Sequence, residues 1–204
     1  SDWNTATPSP IDNFDEHDNV YDSLISAKKI TSSDVLRVIK KITWETGTIY
    51  EMYRQDYSID KLSPQTSSSS LYKANYYVMN SDFRVYECIY NGASPSNSGG
   101  GVISLEEPTH TDLQPRLESD GYVWKYLYTI KPSDIIKFDS AEFIPVPQNW
   151  ATNTAVADVR NAAVDGKIET IVIEDVTNAT YQFNGTKNAV PIRGDGSDGL
   201  ASVT

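Results

Sequence analysis

Few residues in this sequence could carry nucleophilic chemistry: one cysteine, Cys88, and two histidines, His17 and His110. A hydrolase of this kind needs a Ser or Cys nucleophile beside a base, which is usually His. Both histidines lie in polar, turn-like stretches, and no Gly-x-Ser-x-Gly motif occurs. Cys88 lies in an apparent strand, on the face shared by Tyr86 and Tyr90. We predict a buried structural thiol and no catalytic residue.

Carboxylates are the most abundant groups with catalytic potential, since the chain has 28 Asp and Glu residues. Two of them could in principle support glycoside hydrolysis, and the candidates are Glu106, Glu107, Glu118 and Asp120. Because acids are so frequent, their spacing selects no pair, and we interpret them as solvated surface. An acid-pair glycosidase is the third of three functional hypotheses.

Motifs for metals and phosphates are incomplete. There is no Walker loop and no Gly-x-Gly-x-x-Gly, and the acidic residues 12–22 lack the central Gly and terminal Glu of an EF-hand loop. Residues 194–200, GDGSDGL, match most of one calcium β-roll repeat, but such a site needs stacked tandem copies. We interpret this segment as a β-turn and predict no metal site and no cofactor.

The strongest local pattern is the aromatic strand at residues 120–130. Alternation places five of its side chains on one face: Tyr122, Trp124, Tyr126, Tyr128 and Ile130. One interpretation is an exposed platform for a sugar or a partner protein. The other, which we favour, is a core-facing strand with Trp124 as its anchor.

Composition excludes several classes of protein. The 17 basic and 28 acidic residues give a net charge of −11, which disfavours a nucleic-acid partner. A single cysteine forms no intramolecular disulfide. The sequence has no run of 18 apolar residues, which is the pattern that would indicate a membrane span. The N-terminus has no signal-peptide pattern. With 13 tyrosines and four tryptophans, the chain has enough large side chains to build a core.

The elements that position these residues are predicted to be mainly β. Strands are expected at 76–79, 84–90 and 122–130, with a turn at 80–82 and an extended segment at 142–147. Pro132 should begin a helical turn. Capping residues 31–33 and apolar spacing predict a short helix over 34–42, whereas residues 1–27 should be mostly irregular.

The composition changes near residue 150, which predicts two domains, 1–150 and 151–204. Residues 151–164 fit a linker or a short helix, and strands are expected at 167–174 and 190–192. The expected fold is an antiparallel β-sandwich-like domain with one or two short helices and a small, Gly-rich C-terminal β appendage. Both ends of the sequence are typical of cuts in a longer chain, so we expect this appendage to be truncated.

Several segments together resemble one family. Residues 120–127 read DGYVWKYL, a proline follows at Pro132, and residues 142–147 read EFIPVP. Upstream, residues 85–88 read VYEC, and Trp3 and Trp44 occur in matching order. This pattern resembles the gene-eight baseplate wedge proteins of T-even-type contractile-tailed bacteriophages. The likeness spans about residues 3–147 and is most specific at 120–147; the serine loop at 67–70 and the stretch between Cys88 and Asp120 depart from it.

The resemblance implies a non-enzymatic structural subunit of the phage tail baseplate. Proteins of that family are mostly β, form homodimers and pack against other wedge proteins. The subunit would be in the host cytoplasm during assembly and in the virion afterwards. The C-terminal part looks more like a Gly-rich β module of marine phage structural proteins. The alternative hypothesis is a carbohydrate-binding module on the virion that uses exposed aromatics.

Overall fold

The computed structural model describes residues 14–53, 68, 70–93, 101–164, 168, 187–191 and 200–203. The chain divides into two units, Ser1–Val35 and Leu36–Thr204. The described residues form eight strands, all paired antiparallel, and three short α-helices. The prediction of a mainly β, antiparallel fold is confirmed, with one helix more than expected. None of the described helices has the length and apolar content needed to cross a bilayer.

The first unit contains helix α1 (Phe14–Ser23), so the prediction of irregular chain is wrong for these residues. Acidic residues open the helix, where the helix dipole favours negative charge. At its end, the Ser23 hydroxyl donates to the Asn19 carbonyl at 2.9 Å and lies 3.1 Å from the Val20 carbonyl. The helix therefore has local signals at both of its ends. Its polar composition had instead favoured an irregular chain.

The helix predicted over residues 34–42 is also wrong. Thr31 and Asp34 do form a capping box, with the Thr31 backbone N–H 3.0 Å from Asp34 Oδ2. It begins only a single 3-10 turn, Ser32–Asp34, which is followed by strand β1 (Arg37–Lys40). Val38 and Ile39 are β-branched, and β6 offers them an extended partner. Strand pairing thus overrides the helical periodicity.

Strand β1 pairs with β6 (Phe143–Val146), which confirms the extended segment predicted at 142–147. Helix α2 (Pro132–Phe138) precedes β6 and begins at Pro132, as expected. A partly buried ion pair, Lys41 Nζ to Asp139 Oδ1 at 2.9 Å, ties the end of α2 to the end of β1.

The larger sheet has four antiparallel strands in the order β2-β3-β5-β4. They are β2 (Tyr77–Met79), β3 (Arg84–Asn91), β4 (Arg116–Leu117) and β5 (Tyr122–Thr129). The turn between β2 and β3 is built by Asn80, whose Oδ1 accepts from the backbone N–H groups of Asp82 and Arg84. The strands and the turn predicted from residues 76–90 and 122–130 are therefore confirmed.

The pairing of β3 with β5 contains two irregularities. The register shifts between Val85 and Tyr86, and again between Cys88 and Tyr90. A bulge changes which residues share a face. As a result, the residues of β5 contribute to two core clusters rather than to one continuous face.

The two clusters are defined by their buried members. The first core cluster consists of Tyr50, Val78, Tyr86, Cys88, Tyr122 and Trp124. The second core cluster consists of Met79, Val85, Tyr128, Ile130, Ile144 and Val156.

The C-terminal part contains a 3-10 turn, Thr154–Val156, and helix α3 (Ala157–Ala162), which confirms a short helix within 151–164. Strands β7 (Lys187–Pro191) and β8 (Leu200–Val203) pair antiparallel, and β7 overlaps the strand predicted at 190–192. The strand predicted at 167–174 and the turn at 194–199 lie outside the described residues, apart from Ile168. The domain boundary at residue 150 stays a prediction.

Candidate functional site

The aromatic strand is part of the core. Tyr122 and Trp124 have no exposed surface, and their rings stack at 5.3 Å between centroids with 10° between planes. Tyr50 meets the Trp124 ring edge-on at 5.6 Å. Tyr128 and Ile130 are buried in the second core cluster, and Tyr126 packs partly against the first. This burial favours the core-facing interpretation and leaves no aromatic platform on β5.

Hydroxyl and amide groups within this core bind neighbouring backbone. The Tyr122 hydroxyl donates to the Val102 carbonyl at 2.6 Å and accepts from the Tyr50 N–H at 3.0 Å. The Asn91 amide donates to the Tyr50 carbonyl at 3.0 Å. Burial raises the pKa of Tyr122 well above its usual value. These groups are internal ties, because their hydrogen-bonding capacity is used within the fold.

Asp120 was a candidate carboxylate, and the structure gives it a structural role. Its Oδ2 accepts from the backbone N–H groups of Leu105 and Glu106, at 2.8 and 3.1 Å, and from the Ser104 hydroxyl. Burial alone would raise the pKa of Asp120, but these backbone donors and that of Tyr122 hold it below its ordinary value. A carboxylate with such stabilised negative charge is a poor general acid.

Two of the other candidate carboxylates also form structural contacts. Glu107 accepts a hydrogen bond from the Ser81 backbone N–H at 2.7 Å, and Glu118 lies 3.9 Å from Arg116. Both contacts fix surface segments. They give no indication of a carboxylate pair directed at a common substrate.

Cys88 is fully buried in the first core cluster, which confirms the predicted burial of its thiol. Burial raises the pKa of its thiol well above the ordinary value, so a thiolate nucleophile is disfavoured at neutral pH.

His110 is buried, although it lies in a polar, turn-like stretch of the sequence. Its ring meets Tyr86 edge-on at 5.3 Å, and neither ring nitrogen forms a hydrogen bond with the described residues. Burial lowers the pKa of His110, while the negative charges of Glu118 and Asp112 oppose that shift. The imidazole is therefore neutral at pH 7 and has no bonded Ser or Cys to activate. His17, the other histidine, is exposed on α1.

No group of three His, Cys, Asp or Glu side chains within the described ranges is arranged to hold a metal ion. Of the calcium β-roll match at 194–200, only Leu200 is among the described residues.

The structure contains a surface tyrosine cluster that the sequence pattern does not predict. Tyr53 and Tyr76 have ring centroids 5.4 Å apart, and Tyr76 and Tyr77 are 5.2 Å apart. Tyr53 is 41% exposed, whereas the Tyr77 hydroxyl donates to the Lys40 carbonyl. Burial raises the pKa of Tyr77 to about 12. Only the fold brings Tyr53 beside the strand residues, so no local sequence pattern could have revealed the cluster.

Comparison of the chain with protein-family models, curated proteins and solved structures finds no match.

Proposed function

We propose that this protein is a structural subunit of a contractile phage tail baseplate wedge, acting by protein–protein packing without catalysis. The observation that carries the proposal is that the segments resembling the wedge family are buried in the core. Trp124 is fully buried in the first core cluster, and Ile144 is fully buried in the second. We expect such burial of segments that determine the shape of a family and do not form a reactive centre.

The polar groups support a scaffold as well. Asp120, Asn91 and the Tyr122 hydroxyl tie loops to strands, and Cys88 is sequestered. Meanwhile many large apolar side chains are exposed, among them Ile136 at 86% and Leu117 at 66%. Such side chains are available for other subunits to cover.

We further propose a sandwich-like arrangement for residues 1–150, with a C-terminal β appendage at 151–204. In support, the second core cluster combines Ile144 of β6 with Val85 and Tyr128 of the four-stranded sheet. The proposed assembly is a homodimer that packs with other wedge proteins. It has no nucleic-acid or membrane partner, forms in the host cytoplasm and ends in the virion.

Co-expression tests this proposal. The genes adjacent to this one would be expressed together with a tagged full chain, and complexes would be isolated and weighed by native mass spectrometry. We expect a stoichiometric complex with at least one protein of a tail assembly. Neighbouring genes unrelated to tails, together with a chain that forms no complex, would contradict the proposal. So would reproducible turnover of an ester, peptide or glycoside that a single substitution abolishes.

The surface tyrosine cluster favours a second candidate, a carbohydrate-binding module on the virion. Aromatic rings that are partly exposed can stack on sugar rings, and Tyr53 presents 41% of its surface. A glycan array with the parent and Tyr53→Ala separates the two candidates. Sugar binding that Tyr53→Ala abolishes would support the second one, whereas an array without signal leaves packing as the function.

A further inference from the structure

One exposed surface, which we call the arm, is the side of α1 that carries Phe14, Asp18 and Tyr21. The spacing of four and then three residues places these side chains on the same side of a helix. Phe14 is 87% exposed and Tyr21 is 70% exposed. The sequence of α1, FDEHDNVYDS, has four acids and no Lys or Arg. The arm is thus an acid flanked by two aromatic rings.

No buried core is present around the arm in the residues that the structure describes before Asp34. Every side chain described between residues 14 and 33 is exposed. A helix of ten residues is marginal in water, and most helical stability in proteins comes from packing an apolar side. A covering surface would therefore stabilise α1 considerably.

A second exposed surface, which we call the β1–β6 face, carries Val38, Lys40 and Phe143. In the antiparallel register Lys40 lies opposite Phe143, so both point to the same side of the ribbon as Val38. The other side directs Ile39 and Ile144 into the second core cluster. Val38 is 44% exposed and Phe143 is 41% exposed.

The β1–β6 face also carries positive charge, which the arm lacks. Residues 37–41 read RVIKK, and of these bases Lys41 is paired with Asp139 while Arg37 and Lys40 are exposed. Lys40 lies across from Phe143 and two residues along the strand from Val38, so it adjoins two apolar side chains, as Asp18 does on the arm. Both surfaces are apolar in part, and their charges are opposite in sign.

We propose that the arm of one copy docks on the β1–β6 face of a second copy, and that the exchange is reciprocal. Both surfaces are exposed in the single chain, so a second copy supplies the cover for each. Reciprocal exchange closes a two-fold dimer in which each contact occurs twice. Pairing Asp18 with Lys40 also offsets the repulsion between two chains of net charge −11. This inference rests on the homodimer of the proposed function and specifies its interface.

The test is a concentration series of the full chain in sedimentation velocity. We expect a dimer whose Kd rises at least tenfold in Phe14→Ala/Tyr21→Ala, and by a similar factor in Phe143→Ala. Leu117→Ala is the matched control, because Leu117 is 66% exposed on β4 and belongs to neither surface, and it should leave Kd unchanged.

A charge exchange tests the pairing itself. Asp18→Lys and Lys40→Glu should each weaken the dimer, and the two together should restore Kd to within about threefold of the parent. A dimer with unchanged Kd in every arm and face variant would overturn the arm exchange but leave the homodimer standing. A charge exchange without rescue would also overturn it. A chain that stays monomeric at high micromolar concentration would overturn both, while the co-expression result could still succeed or fail by itself.

Discussion

Aromatic side chains have opposite environments in two regions of this molecule. In residues 14–35 the rings of Phe14 and Tyr21 are exposed, and no described side chain is buried. In the four-stranded sheet, Tyr122 and Trp124 are fully buried and stacked on each other. Both segments carry large aromatic side chains, so residue type alone does not decide their environment.

The difference comes from what lies beside each segment. The β5 strand has β3 and β4 as hydrogen-bonded neighbours, and Tyr50 meets it from another part of the chain. On helix α1 the Ser23 hydroxyl bonds to the Asn19 carbonyl of the helix itself, and every side chain of the helix that the structure describes is exposed. The sheet should therefore carry the stability of the fold, whereas the arm should carry association.

The largest expected effect is that of Trp124→Ala. Truncating a buried Trp costs about 3–5 kcal/mol, out of roughly 5–15 kcal/mol for a typical domain. We expect the variant to be insoluble or to unfold at much lower urea concentration than the parent. Tyr72→Ala is the matched aromatic control, because Tyr72 is 80% exposed, and its change should stay within about 0.5 kcal/mol.

A soluble Trp124→Ala variant with parental unfolding free energy would contradict the assignment of β5 to the core. If such a variant also lost binding to a glycan, the platform interpretation of the strand would replace it.

The next effect in size concerns the β2–β3 turn. Asn80 is 1% exposed, accepts from two backbone N–H groups and donates to the Pro108 carbonyl at 2.8 Å. Asn80→Ala leaves these groups without partners, which should cost about 1–3 kcal/mol. Asn80→Asp keeps the acceptor and loses the donor, so in urea unfolding it should be less destabilised than Asn80→Ala. Equal losses would show that the turn does not depend on Oδ1.

His110 should make the stability of the sheet depend on pH. Burial lowers its folded pKa below the unfolded value of about 6.5, so the unfolded chain binds the proton first as pH falls. Stability is then fully present above about pH 6.5 and is lost as pH falls towards the folded pKa. The slope for one group is at most about 1.4 kcal/mol per pH unit.

Urea unfolding of the parent and of His110→Asn between pH 7 and pH 5 measures this slope. The variant should lose the slope in that window, since the lowered pKa of Asp120 acts only below about pH 4. An equal slope in both proteins would assign the pH dependence to other groups.

How far the sequence predicts the fold depends on whether the relevant contacts are local. The turn at Asn80, the strand through Trp124 and the helix that begins at Pro132 follow from neighbouring residues, and the structure contains all three. Residues 34–42 have helical periodicity, yet β1 forms there because β6, more than 100 residues later, is its partner. That contact leaves no trace in a local window.

The candidate sites show the same division. Burial of Cys88 followed from alternation, whereas burial of His110 did not, because a polar stretch of sequence is brought against Tyr86 only by the fold. The two bulges between β3 and β5 were equally invisible, and they distribute Trp124 and Tyr128 between different clusters. Exposed surfaces such as the arm are the least predictable, since the same aromatic pattern also fits a buried side.

The smallest expected effect concerns the arm, where truncation of the aromatic rings should leave the stability of the monomer unchanged. Phe14→Ala/Tyr21→Ala removes two aromatic rings, but both rings are exposed in the single chain. Measured by urea unfolding at concentrations where the chain is monomeric, the change should stay within about 0.5 kcal/mol. At concentrations where a dimer forms, the same variant should unfold at lower urea concentration than the parent, because association stabilises the folded state by mass action. A loss of several kcal/mol in the monomer would instead show that the arm packs within its own chain, and the contrast between the two regions would disappear.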